Sequence, residues 1–278
     1  LPAGDRIKSG REEGVSTMTR ILAIFKRDYL AYFRSPIGFV VLAIFMLLSG
    51  LYFSAGVLQS YQDMVGEIAF MQSFLFIVVP LLTMRTFAED RKNGTEVLLL
   101  TSPASTVEVV LGKYLAALAM LGTLLAGTLL HLAVTLAYGG LIDFNVLGAY
   151  LGFLFLSAAF LAIGLFASAT TENQIIAAVI TFVVIIAMTL LDAIASMAGQ
   201  MVTTVLAQLN VFGLADTRID QAGQAVTQAL QWLSPMSRIT DLTNGIFALS
   251  PLVFLLSVAA AFLFLTNRLI EKRRWSQR

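Results

Sequence analysis

Six long apolar runs constrain this chain more than anything else in it. They fall at residues 37–57, 68–84, 114–138, 146–169, 175–191 and 251–269. A helix rising about 1.5 Å per residue needs roughly 20 apolar residues to cross a bilayer, with about 17–25 tolerated. Most runs meet that length easily, and the second and fifth sit at its short end. The runs are continuous rather than alternating in period two, which excludes a transmembrane β-barrel. The expected fold is all-α and polytopic, with six transmembrane helices. Composition agrees: 58% of the residues are hydrophobic and only 13% charged, against roughly 25% charged in a soluble domain. A mean hydropathy of +0.84 implies an integral membrane protein rather than a soluble domain with one anchor.

The positions of the basic residues set the expected orientation. With the N-terminus inside and all six runs crossing, sixteen of the eighteen Lys and Arg residues fall on the cytoplasmic side, leaving Arg218 and Arg238 outside. The positive-inside rule therefore predicts both termini in the cytoplasm, since an odd number of spans would strand one basic end. The net charge of +1 is too small for a nucleic-acid partner, and the lack of cysteine excludes disulfides, thiolate nucleophiles and cysteine-based metal sites.

Between the second and third runs lies a charged block, MRTFAEDRKNGTEVLLLTSPASTVEVVLGK over residues 84–113. Arg85, Glu89, Asp90, Arg91 and Lys92 precede the breaker pair Asn93-Gly94. Then come Thr95-Glu96, the apolar run 97–100, the turn Thr101-Ser102-Pro103 and a helical pattern from Thr106. The pattern reads as helix, tight turn, short amphipathic helix, turn and the next span. Such a compact loop between spans suits a grip on a soluble partner.

Two other segments stand outside the runs. Residues 1–17 are polar and lack the apolar centre of a signal peptide, so they read as an N-terminal extension, with Met18 an alternative start. In residues 18–35, Ile21, Leu22, Phe25, Tyr29, Tyr32 and Phe33 share one helical face, and Arg20, Lys26, Arg27 and Arg34 surround the other. That pattern suits an amphipathic helix in the cytoplasmic headgroup layer, with an extension of the first span as the alternative. Residues 193–250 form a long external loop with amphipathic pieces at 201–212 and 225–233 and a Trp232–Met236 turn. It reads either as short re-entrant helices shielded by protein or as a plain surface loop.

The charged block resembles the cytoplasmic loop of ABC-2 type transporter permeases, and is most similar to the gliding-motility-type subunits. The resemblance rests on Met84-Arg85, Ala88-Glu89-Asp90, Gly94-Thr95-Glu96, Leu99-Leu100-Thr101-Ser102-Pro103 and Gly112-Lys113. Arg34-Ser35-Pro36, the Ser234-Pro235 turn and the final span resemble the family's ends. The resemblance implies one transmembrane domain over 18–278 and a dimer with itself or a sister permease. It also implies two copies of a separate ABC ATP-binding subunit, and leaves room for an extracytoplasmic auxiliary subunit. Residues 85–113 would form the coupling loop: Glu89, Asp90, Arg91 and Glu96 give orienting charges, residues 97–100 an apolar anchor, and Gly94 the sharp turn. The bland alternative is a loop whose charges only meet solvent. ATP and magnesium would belong to the partner, and this chain would bind no cofactor. Export across the bacterial inner membrane is the family habit, and a greasy interface suits lipids, lipid-linked glycans, amphipathic drugs or a polymer.

The remaining residues argue against rival classes. The only Gly-Lys pair, Gly112-Lys113, is followed by Tyr114, so no phosphate-binding loop is present and the chain is not itself an ATPase. His131 is the sole histidine, inside the third run, and reads as a helix–helix hydrogen-bond partner rather than a metal or haem ligand. Ser49-Gly50 with His131 lacks the surroundings of an intramembrane protease. An ion-coupled secondary transporter, or a polytopic protein outside the ABC class, would need an embedded charged constellation, and none is expected from the runs. Gly148, Gly152, Gly164 and Ser168 predict close helix packing in the fourth span.

Overall fold

The computed structural model describes residues 17–59, 63–102, 104–140, 143–209 and 215–276, with backbone only at 98–100 and 275–276. Residues 1–16 of the polar extension, Pro103 and Phe212 lie outside the described residues, as do the side chains of Leu99 and Leu100. The described chain is all-helical. Its elements are α1 (Thr17–Arg34), α2 (Pro36–Leu58), α3 (Met64–Gln72), α4 (Leu75–Thr83), α5 (Ala88–Lys92), α6 (Glu96–Thr101) and α7 (Thr106–Ala137). They continue as α8 (Phe144–Thr170), α9 (Gln174–Thr189), α10 (Leu191–Leu209), α11 (Asp216–Gln231), α12 (Pro235–Thr243) and α13 (Leu249–Ser276).

Local chemistry places the boundaries. Ser35 is extended and its hydroxyl accepts from the Ile37 N–H at 3.3 Å, while Pro36 takes the first helical position, where no N–H is needed. So α1 is a separate helix and not an extension of α2. A reciprocal capping box starts α7: Ser105 N–H donates to Glu108 Oε2 at 2.7 Å and Glu108 N–H to Ser105 Oγ at 3.2 Å.

Four helices, α2, α7, α8 and α13, are long and apolar enough to span a membrane, and the number reaches six if two bent pairs each count as one span. The first pair, α3 and α4, covers the second expected span and bends by 54°; in the second pair, bent by 49°, α9 covers the fifth expected span and α10 runs on into the segment read as the external loop. At the first break, Ser73 and Phe74 turn through i→i+3 bonds to Phe70 and Met71 (3.1 and 3.0 Å), which tightens the chain out of the α-helical path. The second lies at Leu190, where the fifth apolar run gives way to Asp192.

The core centres on α8, which packs against α3, α4, α7, α9, α12 and α13. Its Phe153, Leu156, Phe160 and Leu161 are fully buried. The predicted small residues allow this. A Cβ on Gly148 would sit 1.9 Å from the Leu242 carbonyl oxygen of α12, one on Gly152 2.6 Å from Ile239, and one on Gly164 2.3 Å from Thr83. In the long 193–250 segment, α10 and α11 form a hairpin packed mainly on itself, whereas α12 buries Ile239 and Leu242 against α8.

Candidate functional site

The charged block folds as α5, a turn and α6. Glu89 and Asp90 occupy the first turn of α5 and Arg91 and Lys92 its last, matching the helix dipole. Gly94 ends the turn at φ 72°, the left-handed region that favours glycine. Thr95 Oγ1 donates to Asp90 Oδ1 at 2.9 Å, closing the turn on the preceding helix.

Nearly every charge in the block is answered from within the chain. Lys113, on the first turns of α7, has a side chain only 3% exposed. Its ammonium lies 2.9 Å from Asp28 of α1 and 2.7 Å from Asp90 of α5, and donates to the Thr86 carbonyl at 2.7 Å. Arg27 adds a 2.6 Å pair with Asp28. Burial opposes ionisation of Asp28, but the charges of Lys113 and Arg27 outweigh it and hold the carboxyl below its ordinary value of 3.8. Arg85 donates to Ser35 Oγ at 2.7 Å and pairs with Glu89 at 3.3 Å, fastening the loop to the α1–α2 junction.

A second node joins the far side. Arg91 pairs with Glu96 at 3.4 Å and with Glu172, in the α8–α9 turn, at 2.6 Å. Arg273 near the end of α13 reaches Glu96 at 3.5 Å and donates to the Ala169 carbonyl. Ser168 of α8 accepts from the N–H groups of Phe87 and Ala88 at 3.1 Å each and donates to the Met84 carbonyl. It thereby caps α5 from another helix, since α5 has no side-chain cap of its own. The sequence marked Ser168 only as a small residue, and nothing in its neighbourhood along the chain signals this cap.

Of the residues read as orienting charges for a partner, Asp90, Arg91 and Glu96 also pair inside the chain, with Lys113 of α7, Glu172 of the α8–α9 turn and Arg273 of α13, while Glu89 pairs with Arg85 of the same block. What faces outward is Lys92, Asn93, Gly94 and Thr95, with Val97 47% exposed. Between α1, α4, α5 and α7 lies a cleft of about 350 Å³ lined by Arg27, Asp28, Tyr32, Leu81, Arg85 and Lys113 among others.

His131 is indeed a helix–helix partner, but its partner escaped the sequence reading. Its Nδ1 lies 2.7 Å from Oε1 of Glu67, which is 1% exposed in α3. Ser49 of α2 donates to the same carboxylate oxygen and lies 3.3 Å from the same ring nitrogen. Glu67, a buried acidic side chain beside His131, is thus missed when the runs are read for an embedded acidic or basic constellation. Glu67 sits just before the second apolar run as read from sequence, and the earlier start of α3 carries it into the protein. Ser49 and Glu67 share one nitrogen, so the three form a triangle and not the serine–imidazole–carboxylate relay of a hydrolase. No group of three or more metal-ligating side chains occurs among the described residues.

Comparison with known proteins agrees with the loop motif. No curated protein matches the chain in sequence. The profile described as ABC-2 family transporter protein matches residues 22–273, from the first turns of α1 to Arg273 at the end of α13. The chain belongs to the ABC-2 transporter family, as a membrane component of an ABC transporter rather than its ATPase.

Proposed function

We propose that this protein is the permease subunit that couples a separate ABC ATP-binding subunit to substrate movement, with α5 and α6 as the coupling element. One observation carries the reading: α5 and α6 are tied through Asp90 to Lys113 of α7 and Arg27 of α1, through Arg91 to Glu172 of the α8–α9 turn, through Glu96 to Arg273 of α13, and through the backbone to Ser168 of α8. Nucleotide-driven movement of an ATPase reaches a membrane helix only through a stiff connection. A short helix fastened to four others is stiff, and its outward tip, Lys92 to Thr95 with Val97, is free to meet a groove.

On this reading the charged loop and both termini are cytoplasmic, α1 lies at the inner headgroup layer, and the protein sits in the bacterial inner membrane. Two permease chains, this one twice or with a sister, stand on two ATPases, and the cargo leaves the cell. The likeness of the loop to gliding-motility-type permeases supports that subfamily. The exposed apolar side chains of α2, α9 and α13, including Leu47, Val183 and Leu256, supply surface for lipid and for the second permease.

Affinity capture of the solubilised protein from its native membrane tests the proposal. Wild type is expected to bring down a P-loop ATPase, and Val97→Arg and Lys92→Glu, which change only exposed side chains, are expected to lose it. A folded wild type that recovers no such ATPase sinks the coupling reading.

A further inference from the structure

The triangle of Glu67, His131 and Ser49 is unrelated to the coupling loop. It lies at the opposite end of the bundle: His131 is eighteen residues beyond Lys113 on α7, which at about 1.5 Å per residue is about 27 Å. The helix brings polar side chains to one face there. Thr128, His131 and Thr135 follow helical spacing, with Thr128 Oγ1 2.8 Å from the Tyr150 hydroxyl of α8 and Thr135 against Met64 of α3. The Phe53 ring of α2 stacks on the imidazole with centroids 4.3 Å apart.

A charge inventory of this region is short. The helices around α3 here, namely α2, α7 and α8, bring no Lys, Arg, Asp or Glu to it. They bring His131, with Tyr52 and Tyr150 as the other titratable side chains, and Asp63 caps α3 itself. Glu67 Oε1 receives His131 and Ser49, while Oε2 is buried without a hydrogen-bond partner among the described residues. A buried carboxylate beside a neutral imidazole leaves one uncompensated negative charge, which is costly away from water. One proton added to His131 at Nε2, the ring nitrogen away from Glu67, gives imidazolium and carboxylate with no net charge. With Glu67 enclosed, a proton is the ligand that fits without displacing protein.

We propose that Glu67 and His131 form a proton-binding site whose occupancy holds α3 against α2, α7 and α8. His131 is the proton carrier: its side chain is 19% exposed and so reaches the surface that Glu67 does not. Ser49 is a positioning residue, fixing the carboxylate through its hydroxyl. The sign follows from the charges. The bound proton stabilises the docked α3, so docking is favoured at lower pH and weakens as pH rises and the site empties. A half-helix ending at the bent α3–α4 break is the element such a site can release, because its other end is not a continuous helix.

The single histidine and the lack of cysteine make the test direct. The imidazole of isotope-labelled protein in lipid nanodiscs gives one signal, to be followed by NMR from about pH 5 to about pH 8. Spin labels at Ala69→Cys on α3 and Leu147→Cys on α8, both exposed, report docking over the same range. The expected result in wild type is an imidazole signal that changes with pH and a label distance that broadens as pH rises. Glu67→Gln and His131→Gln abolish the pH dependence of that distance, while Ser49→Ala, which keeps both titrating groups, retains it. An imidazole that does not titrate, or a distance equally insensitive to pH in wild type, overturns the proposal. So does equal loosening in all three variants at every pH, which is what a purely structural bond would give. Neither readout involves the ATPase, so the outcome is independent of the coupling reading.

Discussion

Lys113 holds two carboxylates, Asp28 and Asp90, from different helices while its own side chain is almost wholly covered. Removing one member of a buried ion network leaves the others uncompensated. Lys113→Met is expected to cost about 3 kcal/mol, toward the lower end for buried pairs because both aspartates are part-exposed. Denaturant titration in detergent measures it, and Lys113→Met combined with Asp28→Asn should cost less than the separate losses added together. Asp28 also gives the network a pH dependence. Its folded carboxyl lies below the ordinary 3.8, so its stabilisation is complete above that value and disappears as pH falls through the lower, folded one. Melting temperature should therefore drop on acidification below about pH 4, and the part due to Asp28 should be missing in Asp28→Asn; an identical acid profile in the variant would remove Asp28 from the network.

At the scale of elements, α12 is seated where α8 has no side chain. Gly148→Ala would drive a Cβ into the Leu242 carbonyl, a backbone atom that yields only if α12 moves. The expected cost is about 1–3 kcal/mol, as for overpacking a core, with α12 displaced in a spin-label measurement against α8. Gly94 marks the opposite case, with no atom within reach of a Cβ but a left-handed backbone. Gly94→Val is expected to strain the α5–α6 turn by about 1–2 kcal/mol and to reduce capture of the ATPase more than global stability. If capture is unchanged, the turn is not the docking tip.

For the whole molecule, the consequence of the loop's fastening is transmission. Arg273 joins α6 to α13, and Glu172 joins α5 to the start of α9. A push on the tip is thereby delivered to helices from both halves of the chain. Arg273→Ala is expected to leave ATPase capture intact while lowering ATP-driven movement of α13 several-fold, read by paired spin labels in nanodiscs with and without ATP. Unchanged movement would show that force travels by α7 and α8 alone.

The apolar runs alone determined that the chain is helical and built for a membrane, because a continuous run of some 20 apolar residues has few other stable states. The motif around Gly94 and Glu96 located the loop, since turn chemistry is local and legible in order along the chain. Three things were decided only by tertiary structure. The bends at 73–74 and 190 leave no proline or glycine signal at the break itself. The inward use of Asp90, Arg91 and Glu96 depends on Lys113, Glu172 and Arg273, whose distance in sequence hides the pairing. Glu67 fell one residue outside the second apolar run because hydropathy averages over a window, while burial is settled by which helices close around one side chain. Periodicity records what a segment prefers by itself; the partner of each charge is fixed only when the helices pack.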